Sequence, residues 1–184
     1  MEKGQILRFD GASQTGVFRR VMEKKGAAEA IYAHPERFDA DSMEHHTRVA
    51  LRELALEEVR KERFPAFPSR LNCLYVSATM EEAEIWAESF VRWGRPTYHI
   101  VKVRLSGRVF AGDACNCFDA SADRERNLAC AQRYWMNLPN EQGKPPVREI
   151  LADGEIEVLE IVKEIRKNIS EEEKRLPQWG SSDC

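Results

Sequence analysis

Hydrophobic and polar positions follow two periods along the chain, which predicts a mixture of helices and strands. The helical period is clearest after residue 44, where Leu51, Leu54 and Val59 form an apolar stripe surrounded by Arg and Glu. The predicted helices span residues 15–25, 44–63, 81–90 and 122–135. Short apolar or alternating runs are typical of strands. These predicted strands span residues 6–9, 71–77, 98–105, 109–110 and 147–151.

A further apolar run at residues 156–162 follows Asp153-Gly154, a dipeptide typical of tight turns. We therefore predict a β-hairpin with its turn at that dipeptide. Strands and helices do not alternate regularly enough for a doubly wound parallel sheet. The expected fold is α+β, with a split, mainly antiparallel sheet and flanking helices. We predict one domain over residues 1–165 and a charged C-terminal tail over residues 166–184.

The composition is that of a globular protein, with 42% hydrophobic and 32% charged residues. The net charge of −3 gives no overall field that would attract nucleic acid. Neither a signal-peptide core nor an apolar run of membrane-spanning length is present, which predicts a cytoplasmic protein or one delivered into a host cytoplasm. The five cysteines favour reduced thiols, and Cys115 and Cys117 lack the second close pair that a structural zinc site needs, so we expect no metal.

Three segments carry the candidate chemistry, and the chain lacks a Gly-rich phosphate loop. Arg8 lies in the first strand, Tyr75-Val76-Ser77-Ala78-Thr79 ends a strand directly before a helix, and Glu149 begins a late strand. This order resembles the Arg–Ser–Glu pattern of the ADP-ribosyltransferase superfamily. The segments at residues 64–71 and 134–135 are also similar to a group of uncharacterised bacterial and phage proteins placed near that superfamily.

The resemblance implies an ADP-ribosyltransferase-like fold and an NAD-dependent enzyme, such as a bacterial or phage effector or toxin. NAD would be the substrate, and a protein or nucleic acid would accept the ADP-ribose. Cleavage of the glycosidic bond of NAD develops an oxocarbenium-like sugar, which a carboxylate stabilises. The resemblance assigns this catalytic role to Glu149. The acidic residue that arginine-modifying members carry two places earlier is replaced by Val147, which argues against an arginine acceptor and leaves the acceptor open.

The resemblance also implies a set of residues that hold NAD. Arg8 would bind a phosphate or ribose oxygen, because its planar fork suits such groups. Arg70 is a second phosphate contact, or replaces Arg8 as the first-motif arginine. Hydrogen bonds to the ribose, to nicotinamide or to Glu149 would come from Ser77 and Thr79. The aromatic rings of Tyr75 and Tyr98 are candidates for stacking on nicotinamide.

Each candidate also has a purely structural interpretation. Arg8 would form a surface ion pair, Ser77 and Thr79 would act as turn and cap residues, and Glu149 would lie on a solvated strand face. Other functions stay open as well. They are an NAD glycohydrolase, a non-catalytic interaction or inhibitor protein on the same fold, and an enzyme with Cys73 as nucleophile and His99 as base.

Overall fold

The computed structural model describes residues 1–11, 14–38, 43–92 and 97–166. Within these ranges the chain forms helices and short antiparallel strands, which confirms the α+β class. The helices are α1 (Gly16–Ala33), α2 (His45–Arg63), α3 (Met80–Arg92) and α4 (Arg124–Trp135). The strands are β1 (Ile6–Phe9), β2 (Leu74–Val76), β3 (Thr97–Ser106), β4 (Val109–Asp113), β5 (Arg148–Ala152) and β6 (Gly154–Arg166). A single turn of 3-10 helix at Arg70–Asn72 precedes β2.

The strands form two antiparallel sheets of three strands each. The first sheet has the order β1-β6-β3 and the second has the order β2-β5-β4. The chain passes from β3 to β4 and from β5 to β6 through very short links, so two long strands cross both sheets side by side. The predicted hairpin at Asp153-Gly154 is therefore wrong, because β5 and β6 pair with different strands and not with each other.

The two long strands contact each other where they pass between the sheets. Asp153 N donates to the carbonyl oxygen of Arg108, and the carboxylate of Asp153 accepts from Arg108 N and Nε. Gly154 has a φ of +90°, and a Cβ there would lie 2.5 Å from the carbonyl oxygen of Ser106. A Cβ at Gly107 would lie 2.0 Å from the carbonyl oxygen of Asp153. Gly154, predicted to lie in a hairpin turn, therefore forms a bend in a continuous strand. A bend of this kind needs the same positive φ as the turn.

Helices α1, α2 and α4 pack beside one another, with α2 in the middle. In the apolar stripe of α2, Leu51 and Val59 are buried and Leu54 is partly buried. Trp135 of α4 donates its indole N–H to the carbonyl oxygen of Leu56 at 2.8 Å. The same core includes Phe110 of β4 and Leu151 of β5, so the helical layer covers the second sheet. Helix α3 lies against β3 of the first sheet.

The first helix is longer than predicted, because it continues through Gly26 to Ala33. Gly26 is exposed, whereas Ala28 and Ile31 beyond it are buried against Leu51 of α2. This packing outweighs the cost of about 1 kcal/mol for a glycine inside a helix. The predicted C-terminal tail begins inside β6, which extends to Arg166, and residues 167–184 lie outside the described part of the chain.

Substitution of Gly154 by Ala tests the crossing between the sheets. The added Cβ would strain a positive φ and meet backbone atoms that cannot move independently, so we expect a loss of about 3 kcal/mol in the free energy of unfolding. Gly26→Ala is the matched control, because nothing lies within 4 Å of that Cβ position, and it should stabilise the protein by about 0.5–1 kcal/mol. Urea denaturation measures both, and equal stability of the two variants would contradict the crossing as described.

Candidate functional site

Arg70 extends its guanidinium group into the interior between the helical layer and the second sheet. It is only 5% exposed. The preceding Ser69 fixes the turn by accepting a hydrogen bond from Leu71 N at 3.2 Å. The guanidinium Nε donates to Glu53 Oε2 at 2.9 Å, and Nη1 donates to the Tyr134 hydroxyl at 2.6 Å and to Glu149 Oε1. Arg70 thus joins α2, α4 and β5 at one buried point.

Glu149 is held through one of its two carboxylate oxygens. Its Oε1 accepts from Arg70 and from the Tyr134 hydroxyl, the latter at 2.6 Å, and the Cys117 thiol lies 4.0 Å away. No donor of the described residues is placed on Oε2. Since no buried side-chain nitrogen or oxygen in those ranges lacks a hydrogen-bond partner, Oε2 reaches solvent-accessible space. The carboxylate therefore has one anchored oxygen and one oxygen with access to solvent.

Glu53 of α2 supplies the second negative charge. It is 2% exposed and accepts from Arg70 and also from Arg52 Nε, the latter at 3.2 Å. Burial acts to raise the pKa of Glu53, but the charges of Arg70 and Arg52 outweigh it and hold the pKa below its usual value. Two guanidinium groups and two carboxylates thus balance one another, as buried charges must. We call Glu53, Arg70, Tyr134 and Glu149 the buried network.

Two tyrosine rings enclose Arg70. The Tyr134 ring centre lies 4.9 Å and the Tyr75 ring centre 5.5 Å from the guanidinium carbon, within the range of cation–π attraction. Burial raises the pKa of Tyr134 well above its usual value against the lowering charge of Arg70. The hydroxyl therefore stays protonated and donates to Glu149. Tyr75, on strand β2, is 41% exposed and connects the buried network to the surface.

The thiols beside the network are neutral at physiological pH. Burial raises the pKa of Cys73 and of Cys117 to about 12, although Arg70 acts to lower both. Cys73 Sγ lies 3.7 Å from the carbonyl oxygen of Arg70. His99 lies on β3 of the other sheet, 3.9 Å from Glu164. The described residues therefore offer no activated Cys73–His99 pair, since a thiolate is the reactive form.

The predicted site residues separate into two groups. Tyr75, Arg70 and Glu149 lie together, whereas Arg8 lies on the first sheet and pairs with Glu155 at 3.1 Å on the exposed face. Glu155 is six residues beyond Glu149, about 20 Å along an extended strand. The structure thus gives Arg8 the surface ion pair that was its alternative interpretation. Among the described side chains, Arg70 is the arginine that contacts Glu149.

The Ser77 and Thr79 positions differ in their relation to the network. Val76, the last residue of β2, is paired with Ile150, and Ser77 follows directly after the end of the strand. Thr79 is exposed and accepts from Glu82 N at 3.2 Å, which is the role of a helix cap. The side chain of Tyr98 lies outside the part of the structure that is described.

Sequence reasoning missed Glu53 and Tyr134 as site residues. Glu53 lies between Ala50 and Leu56 at a spacing of three, on the buried face of α2, so a charged residue on an apolar face was the available signal. Tyr134 is adjacent to Trp135 and showed no polar signal. Its place in the network depends on how α4 packs.

Asp113 fixes the beginning of β5 and thereby the position of Glu149. Its carboxylate accepts from Val147 N and Cys115 N, both at 2.9 Å, and from Asn140 Nδ2 at 2.8 Å. Burial acts to raise the pKa of Asp113, but these donors hold it below its usual value. In the described ranges, no three His, Cys, Asp or Glu side chains are grouped so that they could bind a metal ion.

Residues 1–164 match a family profile described as "Protein of unknown function (DUF2441)". The chain belongs to this family. The DUF2441 match therefore includes the whole buried network. A comparison with curated proteins gave no match. None of the helices in the described ranges of this DUF2441 chain is long and apolar enough to span a membrane.

Substitution of Glu53 by Gln tests the charge balance. It leaves Arg70 and Arg52 short of a counter-charge, so we expect the free energy of unfolding at pH 7 to fall by about 3–5 kcal/mol. The pKa of Glu53 is lower in the folded protein than its ordinary value of 4.5. Its contribution to the free energy of unfolding is therefore complete above pH 4.5 and is lost as the pH falls through the folded-state pKa. The difference from wild type should therefore narrow as the pH falls below 4.5 in urea denaturation.

Glu58→Gln is the control, because Glu58 lies on the exposed side of the same helix and pairs with Arg124 at the surface. Its loss should change the free energy of unfolding by less than about 1 kcal/mol. Equal effects of the Glu53 and Glu58 substitutions would show that the buried charges are not coupled as the structure indicates.

Proposed function

We propose that this chain is an NAD-dependent ADP-ribosyltransferase whose catalytic group is Glu149. The observation that carries the proposal is the asymmetric binding of the Glu149 carboxylate. Oε1 is fixed by Arg70 and Tyr134, and Oε2 is turned toward solvent-accessible space. A purely structural carboxylate would gain more from donors on both oxygens.

The proposed chemistry requires a carboxylate at a defined position. As the bond between nicotinamide and ribose breaks, positive charge develops on the sugar, and Glu149 Oε2 stabilises that charge and orients the acceptor nucleophile. Arg70 and Tyr134 prevent the carboxylate from rotating away. Arg70 is thus a positioning residue, and its contacts with Glu53 and Glu149 occupy the donors that a phosphate would need.

The exposed edge of β2 provides the surface on which nicotinamide would bind. Tyr75 offers a partly exposed ring beside Arg70, which suits stacking on an aromatic heterocycle. Ser77 directly follows Val76, the residue of β2 that pairs with Ile150 next to Glu149, and its hydroxyl would bond to the ribose. We do not extend the proposal to Arg8 or Thr79, because one pairs with Glu155 and the other caps α3.

Two antiparallel sheets joined by continuous strands fit the split sheet of an ADP-ribosyltransferase-like fold, which supports the same proposal. The acceptor is a protein or a nucleic acid, and Val147 argues against the guanidinium group of an arginine. A bacterial or phage effector acting in the cytoplasm is the setting that we propose for such an activity.

Glu149→Gln separates binding from chemistry. The substitution preserves size but removes the negative charge that matters only near the transition state, so the transfer rate should fall by about a hundredfold or more. Affinity for NAD should change much less. Rates are measured as labelled ADP-ribose incorporated into lysate proteins and nucleic acids, and affinity is measured by calorimetry.

Glu155→Gln and Glu157→Gln are matched controls in the continuation of the same strand. Both residues form surface ion pairs in the first sheet, with Arg8 and Arg104, and their substitution should leave transfer unchanged. Release of nicotinamide without labelled acceptor would indicate a glycohydrolase. If millimolar NAD shows no binding in the wild-type protein, with or without lysate, the proposed function is wrong.

A further inference from the structure

Strand β4 lies at one edge of the second sheet, because the strand order of that sheet is β2-β5-β4. Ala114, just after β4, donates its N–H to the carbonyl oxygen of Val147, just before β5. Residues that bond to the neighbouring strand alternate with residues that do not along an antiparallel pair. The even-numbered residues of β4 therefore bond to β5, whereas Val109 and Ala111 direct their main-chain N–H and C=O groups away from it.

These outward main-chain groups have no hydrogen-bond partner among the residues that the structure describes. Val109 is 49% exposed and Ala111 is exposed as well, so solvent reaches this part of the strand. Asp113, the last residue of β4, is only 6% exposed. The accessible part of the β4 edge is therefore residues 109–111.

The β4 edge lacks the features that normally protect an edge strand, which are short length, exposed charged side chains and bulges. Each of the other edge strands in the described ranges has at least one of them. β2 has three residues, β1 carries Arg8, and β3 carries Lys102 and two shifts in its register with β6. The pairing of β4 with β5 has no such shift, and Asp113, its one charged residue, is buried. β4 is thus the least protected of these edges.

Apolar side chains border the accessible edge. Side chains alternate between the two faces of a strand, so Val109 and Ala111 lie on the face opposite to Phe110, which packs in the core. Asn137 and Ala111 line the same cavity, so the end of α4 lies beside the edge. Met136, next to Asn137, is 49% exposed. A strand added to β4 would therefore cover apolar surface as well as main-chain groups.

We infer that the accessible edge of β4 is a dimer interface that binds a second copy of this chain. An unprotected edge is presented to every other copy, and this edge is complementary to itself. Antiparallel pairing about a two-fold axis at Phe110 places Val109 of each copy opposite Ala111 of the other. Both residues then exchange main-chain hydrogen bonds across the axis, and the larger side chain packs against the smaller one. The second sheets of the two copies form one continuous sheet. This inference does not depend on the proposed function.

Sedimentation equilibrium of the full chain, from micromolar to near-millimolar concentration, measures the dimerisation constant. The average mass should rise from that of one chain toward that of two. Val109→Lys places a charge where the edge must lose water, so dimerisation should weaken by about tenfold or more. Ala111→Pro removes an N–H that takes no part in the pairing with β5, and it should weaken dimerisation to a similar extent. Deuterium exchange at the main-chain N–H groups of Val109 and Ala111 should slow as the wild-type concentration rises.

Ile6→Lys is the matched control, because Ile6 is a 46% exposed apolar residue on β1, an edge strand of the first sheet. Its dimerisation constant should equal that of the wild type. A wild-type chain that stays monomeric over the whole concentration range would overturn the inference. An unchanged dimerisation constant in Val109→Lys would overturn it too, since another surface would then join the two copies. If thermal unfolding shows that Val109→Lys is not folded, the same result in Ala111→Pro decides.

Discussion

A permanent positive charge is buried at the centre of this molecule, and the surrounding structure has to neutralise it. The guanidinium group of Arg70 cannot lose its proton and is almost fully removed from water. Leaving it without partners would cost several kcal/mol. Its two carboxylate partners come from α2 and β5, which are 17 and 79 residues away in the chain. The requirement for charge balance therefore joins the helical layer to the second sheet.

This constraint also gives the candidate site its geometry. A carboxylate that pairs with a buried cation is held at a fixed position, and the neutral Tyr134 hydroxyl adds a second fixed point. Because Arg70 and Tyr134 hold Oε1 of Glu149 in the buried network, its carboxylate has little freedom to rotate. Enzymes use preorganised charge of this kind, because no further reorganisation is required when the reacting group acquires charge.

Most of the fold followed from local patterns in the sequence, and the errors have identifiable causes. Asp153-Gly154 is chemically suited to any positive-φ bend, and a strand that passes between sheets uses it just as a hairpin does. Gly26 would end the helix if the residues after it had nothing to pack against. Ala28 and Ile31 are buried in the core, so the helix continues past Gly26. Both errors have the same cause. The same residues allow two conformations, and the choice between them depends on tertiary contacts that a short stretch of sequence does not contain.

The candidate site was less predictable than the fold. Arg70, Tyr75 and Glu149 were candidates from motif order, and the structure places them together. The partners that define the network, Glu53 and Tyr134, carried at most weak signals, because pairing across 17 to 79 residues depends on packing angles between elements. Arg8 shows the opposite case, in which a favourable motif position leads to an ordinary surface ion pair.

The pairing of β1 with β6 has a consequence for how the protein is made. Ile6 is paired with Glu157, so during synthesis β1 has no partner until β6 has left the ribosome as well. During that time Arg70 can meet Glu53 but not Glu149, and the crossing between the sheets cannot close. Until then Arg70 has only one of its two carboxylate partners, and β1 presents an unpaired strand. The proposed site forms only after β5 has been synthesised, so translation products that stop before Glu149 would lack it.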